Sequence, residues 1–214
     1  MSEGVKMLIF GPPKRGKTRM LSTASETLIL STDSGCLSLD DVDTPVWDAT
    51  NADEIDEFFA WFTSSNEAAQ FKTLAIDDLT ALAVHYLNRY LESKSSAGNQ
   101  AHGQKAYGSM AEIVLKFINY IYFKKGLNVI AIAKEERDDT GIKRPLFPGR
   151  VLPYEIPHKF DTIAYLDYVQ FQSGPQTAIR TKESIDIKCG SRLGHKLDEF
   201  EPCHVDHLIH KQTT

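Results

Sequence analysis

A chain of 214 residues, 42 % apolar and 25 % charged, has the balance of a globular protein and the length for one α/β domain, 1–214, with a full core. No apolar run nears the ~20 residues that cross a bilayer, and residues 1–6 lack the apolar stretch of a signal peptide, so no membrane role and a cytoplasmic location are expected. The formal charge of −5 excludes a surface that binds nucleic acid all over, but it leaves room for a local basic groove. Between residues 141 and 159 the charges are Lys143, Arg144, Arg150 and Lys159 against Glu155, whereas 33–56 is strongly acidic. The three cysteines, Cys36, Cys189 and Cys203, are odd in number and far apart, the pattern of free thiols and not of a disulfide framework.

The first predicted strand is the apolar run at residues 5–10. Gly11-Pro-Pro-Lys-Arg-Gly-Lys-Thr18 follows it, and 19–25 reads as the start of a helix. The motif G-x-x-x-x-G-K-[ST] therefore falls where a strand turns into a helix, the context a phosphate-binding P-loop requires. Backbone N–H groups of such a loop face the oxyanions of a nucleotide, which assigns Gly11, Pro12, Pro13, Lys14, Arg15, Gly16, Lys17, Thr18 and Arg19 to nucleotide binding. Lys17 would reach the β- and γ-phosphates of ATP and act in catalysis, and the Thr18 hydroxyl would ligate Mg²⁺.

Residues 27–33 predict a short buried strand ending in polar residues, with Gly35 as the turn, and 44–48 a second short one. Ile55, Phe58, Phe59 and Phe62 recur at helical spacing, with Asp53 and Glu54 in the first turn. The run 71–78 ends in Asp77 and Asp78, as a Walker B strand does, so Asp77 would hold the Mg²⁺ shell opposite Thr18. Asp78 would either orient the attacking water or cap the helix that begins near Leu79. That helix is expected to run to Leu91 and to give way to a small, polar, mobile loop over 92–105.

A further helix is predicted over 109–124, closed by Gly126, and then a strand over 127–133 whose near-continuous apolar run suits a parallel sheet covered on both faces. Lys134, Glu135 and Glu136 stand at its end. Residues 137–158 carry four prolines and little periodicity, and 135–159 is expected to be a second mobile loop. Strands are predicted over 161–171 and 177–189, joined by a turn at 173–176, and a short helix closes the chain. Cys203, His204, His207 and His210 fall near one helix face, but no second cluster completes a tetrahedral site, and a partly exposed helix is the expectation.

The order of these features resembles the RecA-core ATPases, and most closely the small phage-encoded ATP-binding proteins related to RecA-type recombinases and implicated in single-strand annealing. The carriers are Gly11 to Thr18, Ser31-Thr-Asp-Ser-Gly35, Ile76-Asp-Asp78, Tyr107-Gly108, Asn128-Val-Ile-Ala-Ile-Ala-Lys134, Lys159-Phe-Asp161, Lys188-Cys-Gly-Ser-Arg-Leu-Gly194 and Glu201-Pro202. The resemblance implies an α/β fold with a RecA-like P-loop NTPase core: a mostly parallel central sheet flanked by helices, with a C-terminal antiparallel strand pair. It implies that Asp33, where glutamate is common, activates water; an Asx-turn with Gly35 is the plain alternative. It implies that the two mobile loops hold single-stranded DNA through Lys105, Tyr107, Arg137, Lys143, Arg144, Phe147 and Arg150, with His102 in the first loop. Lys188 and Arg192 match a segment that reaches the γ-phosphate of a neighbouring subunit.

The function implied is a Mg²⁺-dependent, DNA-stimulated ATPase that assembles as a homo-oligomer, ring or filament, on single-stranded DNA in the host cytoplasm. It would support phage recombination or annealing, with a single-strand-binding protein as a further partner. A P-loop small-molecule kinase with 135–159 as a lid, and an ATP-gated DNA-binding protein of negligible hydrolysis, are the alternatives.

Overall fold

The computed structural model describes residues 4–95 and 103–214. The amino-terminal part is built from β1 (Lys6–Phe10), α1 (Lys17–Leu21), β2 (Thr27–Ser31), β3 (Val46–Asp48), α2 (Ala52–Ser64), β4 (Thr73–Asp77) and α3 (Leu79–Ser95). It continues through α4 (Gly103–Phe123), β5 (Asn128–Ala133), the hairpin β6 (Glu135–Arg137) and β7 (Lys143–Pro145), and α5 (Leu152–Glu155). Last come β8 (Thr162–Phe171), β9 (Gly174–Arg180), β10 (Gly190–Ser191), β11 (Phe200–Pro202) and α6 (Val205–Thr213).

The main sheet has the order β11-β9-β8-β1-β5-β4-β2-β3, with β10 paired to β8. From β8 to β3 every neighbouring pair is parallel; β9, β10 and β11 add antiparallel partners at one edge. This is the mostly parallel central sheet, with antiparallel strands from the carboxy-terminal part at one edge, that the resemblance implied. β5 lies between the strand that leads into the P-loop motif and the strand that ends in Asp77.

All five residues of β1, β2 and β4 are buried, as the unbroken apolar runs require of strands covered on both faces. Alternate residues serve two cores. Leu8 and Phe10 join Leu28, Leu30, Leu74 and Ile76 in a cluster with α2, α3 and α4. Met7 and Ile9 pack on the other face with Met20 and Leu21 of α1 and Val205 and Leu208 of α6. The α2 helix starts where Asn51 accepts from the N–H groups of Asp53 and Glu54, each at 3.0 Å, a side-chain cap that stabilises by about 1 kcal/mol.

Three expectations from the sequence need correction. The loop over 92–105 is shorter, because α3 runs on to Ser95 and α4 starts at Gly103. Ala106, fully buried one turn before Met110, extends the apolar face of α4 backwards, so Lys105 and Tyr107 are helical residues. His102 and the middle of that loop lie outside the described residues. The segment 135–159 is not featureless, since β6 and β7 pair through Glu135 with Pro145 and Arg137 with Lys143. The strand expected over 177–189 ends at Arg180, where Thr181 turns its N–H to Glu199; residues 182–189 are irregular apart from a bridge of Ile187 to Lys143.

Phe147 corrects a residue role. Its ring is 3 % exposed and belongs to the main core cluster, so it has no face to offer a nucleic-acid base. Phe147→Ala should lower unfolding stability by about 3–5 kcal/mol, read by urea denaturation; a loss under 1 kcal/mol would contradict the core assignment.

Candidate nucleotide-binding site

The P-loop joins the carboxy-terminal end of β1 to α1. A Cβ added at Gly11 would lie 2.3 Å from the Leu166 carbonyl oxygen on β8, so only glycine lets the loop leave the sheet there. Gly16 takes a φ of 87° as the N-cap of α1, and its carbonyl accepts from the Met20 N–H at 2.9 Å. α1 has only five residues. The loop's own N–H groups therefore matter more to an anion than the dipole of a long helix.

Lys17 donates to the Gly11 carbonyl at 2.9 Å and the Pro12 carbonyl at 2.7 Å, folded over its own loop. Burial lowers its pKa, and Asp77, Asp78, Glu135 and Asp33 oppose that shift. The loop borders a cavity of about 630 Å³ that these four carboxylates also line, together with Thr18, Lys134 and Leu146.

Thr18 and Asp77 both line this cavity, and the Thr18 hydroxyl lies near enough to the carboxylate to lower its pKa, so the two residues expected to share a metal stand together across the intervening β5. Asp77 is 5 % exposed, and burial, the largest cause, pushes its pKa from 3.8 up to about 6, with Asp33 and Asp78 adding to the rise. Lys17 only partly offsets this. A hydroxyl beside a buried, under-neutralised carboxylate fits a hard divalent cation: Thr18 and Asp77 are the residues that would hold Mg²⁺. When bound, the cation would neutralise phosphate charge.

Asp78 faces the same cavity but caps α3, its carboxylate accepting from the Ala81 N–H; it stands 3.6 Å from the Lys134 ammonium. Its pKa is raised, chiefly by burial. Of the two roles open for Asp78, the cap is the one formed. Asp33 is exposed and accepts from the Gly35 N–H at 3.1 Å, which forms the Asx-turn while leaving the carboxylate on the cavity wall.

Two P-loop cations are engaged elsewhere. Arg15 sits 3.2 Å from Asp167 and over the Tyr168 ring at 4.5 Å, which draws it toward β8. Arg19 binds Asp41 through both terminal nitrogens and donates to the Ser38 carbonyl at 3.0 Å; it fastens α1 to the segment after β2. Lys14 is exposed on the cavity wall.

Lys188 and Arg192 do not line this cavity. Arg192 donates to the His158 carbonyl at 2.6 Å and pairs with Asp161 at 3.3 Å. Since β10 pairs with the first residues of β8, Arg192 lies at the end of the sheet opposite the P-loop. Lys188 is exposed, its N–H bonded to the Lys143 carbonyl at 2.9 Å.

The residues expected to meet DNA divide into two groups. Tyr107 of α4 and Arg150 converge on a cavity of about 530 Å³ also lined by Pro148, Gly149 and Val151; Lys105 is exposed on the same helix. Arg137, Lys143 and Arg144 belong instead to the β6–β7 hairpin, where Arg144 pairs with Glu136 at 2.9 Å and the Lys143 ammonium lies 4.9 Å over the Tyr165 ring. At the carboxy terminus, His204 caps α6, and His207 lies 3.1 Å from Glu201. Glu135 is a cavity residue to which sequence reasoning gave no role; its signal was a carboxylate two residues past an apolar strand.

The raised pKa of Asp77 has a thermodynamic consequence. A carboxyl that ionises near 6 when folded and near 3.8 when unfolded adds stability below pH 3.8 that is lost as pH rises through 6. Asp77→Asn keeps the size and shape of the side chain and removes the ionisation. The metal-free variant should be more stable at pH 7.5 than wild type, by about 3 kcal/mol at most, the order a pKa difference of this size carries. Thermal unfolding without added cation checks this, and a destabilised variant would contradict it.

The family model described as an AAA domain matches residues 3–193, and no curated protein matches the chain. Among solved structures, a KaiC-like protein from the hyperthermophilic archaeon Pyrococcus horikoshii OT3 aligns with 83 % of this chain and 78 % of its own, at 13 % identity and a TM-score of 0.45. No membrane-crossing helix is present among the described residues. With a family match over most of its length, and a P-loop at the first strand-to-helix turn whose Thr18 shares a cavity with Asp77, the chain belongs to the AAA domain family.

Proposed function

We propose that this protein binds ATP with Mg²⁺ at the P-loop, hydrolyses it, and couples hydrolysis to single-stranded DNA in recombination or annealing of the phage type. The observation that carries the reading is the convergence of Lys17, Thr18 and Asp77 on the cavity of about 630 Å³. An incoming triphosphate would draw the Lys17 ammonium away from the Gly11 and Pro12 carbonyls. Phosphoryl transfer asks of the protein chiefly position and charge, and both lie here on the ends of a rigid parallel sheet.

The DNA part of the reading rests on how the second cavity joins the first. Leu146 lines the nucleotide cavity, its N–H donates to the Lys134 carbonyl and its carbonyl accepts from the Thr80 hydroxyl, both at 2.8 Å. Thr80 also accepts from the Lys134 N–H at 3.1 Å. Two residues later Pro148 lines the cavity of Tyr107 and Arg150. An aromatic ring, 43 % exposed, beside an arginine suits a stacked base and its phosphate. The short tether would carry a displacement there to the end of β5.

Assembly on DNA as a homo-oligomer would give Lys188 and Arg192 a use that their own cavity does not, at the γ-phosphate of the next copy. A second reading, an ATP-gated DNA-binding protein with negligible turnover, draws on Asp33, whose carboxylate is committed to Gly35.

Lys17→Ala should weaken ATP binding by at least about tenfold, as loss of a charge-assisted contact does, with the thermal transition within a few degrees of wild type; unchanged ATP affinity in calorimetry would contradict the site. Tyr107→Ala should remove most of the single-stranded-DNA stimulation of ATP turnover and spare basal turnover. Log K for single-stranded DNA should fall by about 0.7 per phosphate neutralised for each decade of salt. Affinity indifferent to salt, or stimulation untouched by the variant, would contradict the DNA reading.

A further inference from the structure

Four carboxylates border the nucleotide cavity, and they are held in different ways. Asp77 is buried beside Thr18. Asp78 caps α3 and faces Lys134. Asp33 closes a turn on Gly35 from an exposed position. Glu135 differs from all three. It is half-buried, its Oε2 accepts from the Tyr165 hydroxyl at 2.9 Å, and among the described residues no protein donor is assigned to Oε1. Its charge acts on Lys17 across the cavity.

The grip on Glu135 is rigid. Tyr165 is 3 % exposed, lies in register with Phe10, and packs its ring 5.1 Å from the Phe10 ring, immediately before the P-loop. Backbone pairing with Pro145 fixes Glu135 from the other side. One oxygen is thus anchored through β8 to the strand that positions the phosphates, and the other is left for a ligand.

We propose that Glu135 is the catalytic carboxylate that orients the attacking water, with Tyr165 as its positioning residue. The inference rests on the ATPase reading and assigns to Glu135 the role otherwise implied for Asp33. The water oxygen forms its bond to the γ-phosphorus as the bond from that phosphorus to the β,γ-bridging oxygen breaks. The electron pair of the broken bond leaves with ADP. Glu135 Oε1 accepts the proton that the water loses and releases it to solvent with the phosphate product. Glutamine at this position can still accept from Tyr165 but is not a base at neutral pH.

The test compares the full chain with E135Q, E135D and Y165F. Steady-state MgATP turnover is measured with and without single-stranded DNA, and equilibrium binding is followed with a fluorescent ATP analogue. E135Q should lower kcat by about a hundredfold or more, the usual contribution of a positioned base, and leave analogue binding within about threefold. E135D should recover part of the loss. Y165F removes the donor that anchors the carboxylate, so it should lower kcat by a smaller factor while leaving KM within about threefold, a split that loss of packing alone would not produce.

If E135Q keeps kcat within threefold of a wild type that turns over ATP, or if D33N abolishes turnover while E135Q retains it, the assignment is overturned and the ATPase reading stands. Wild type that binds the analogue but never releases phosphate, with or without DNA, overturns both.

Discussion

The constraint on which the site depends is the juxtaposition of the Thr18 hydroxyl and the Asp77 carboxylate on one cavity. These residues belong to strand ends that are not neighbours, because β5 lies between β1 and β4. They meet only if the three strands are parallel and end at one level, as the pairs Phe10 with Ala133 and Ile76 with Ala131 provide. The apolar runs that bury both faces of these strands thus also set the distance from loop to acid. A one-residue slip of β4 would turn Asp77 to the other face of the sheet.

Holding acids at that junction costs stability. Burial raises the pKa of both Asp77 and Asp78, so the folded chain keeps two carboxylates where ionisation is disfavoured. Part of the cost is offset locally by the Ala81 N–H and Lys134 around Asp78. Against its burial Asp77 has Thr18 and Lys17, and Lys17 spends its hydrogen bonds on the loop's own carbonyls. A site tuned for stability alone would not leave a buried carboxylate in this state; one that receives a cation would.

What could be read from the sequence was whatever depends on local pattern. The strand, glycine loop and helix start of residues 5–21, the apolar run ending in Asp77 and the run 128–133 each carry their signal within a dozen residues. What could not be read depends on partners distant in the chain. Phe147 looked like a loop aromatic among cations and prolines, yet it packs in the main core. The β6–β7 hairpin was hidden because its strands have three residues each, too few to show a period of two. The early start of α4 was masked by Gly103 and Gly108, although Ala106 already faces the core. Glu135 followed a strand in plain sight, but its hydroxyl partner lies thirty residues on, at Tyr165.

The central claim is that Thr18 and Asp77 hold a divalent cation shared with a nucleotide on the P-loop. Titration of ATP into the wild-type protein, followed by calorimetry once with Mg²⁺ and once with a chelator, tests it most directly. The account predicts saturable one-site binding with Mg²⁺ and a loss of at least tenfold in affinity without it, since an anion then approaches Asp77 with no cation between them. Equal affinity under both conditions would contradict it.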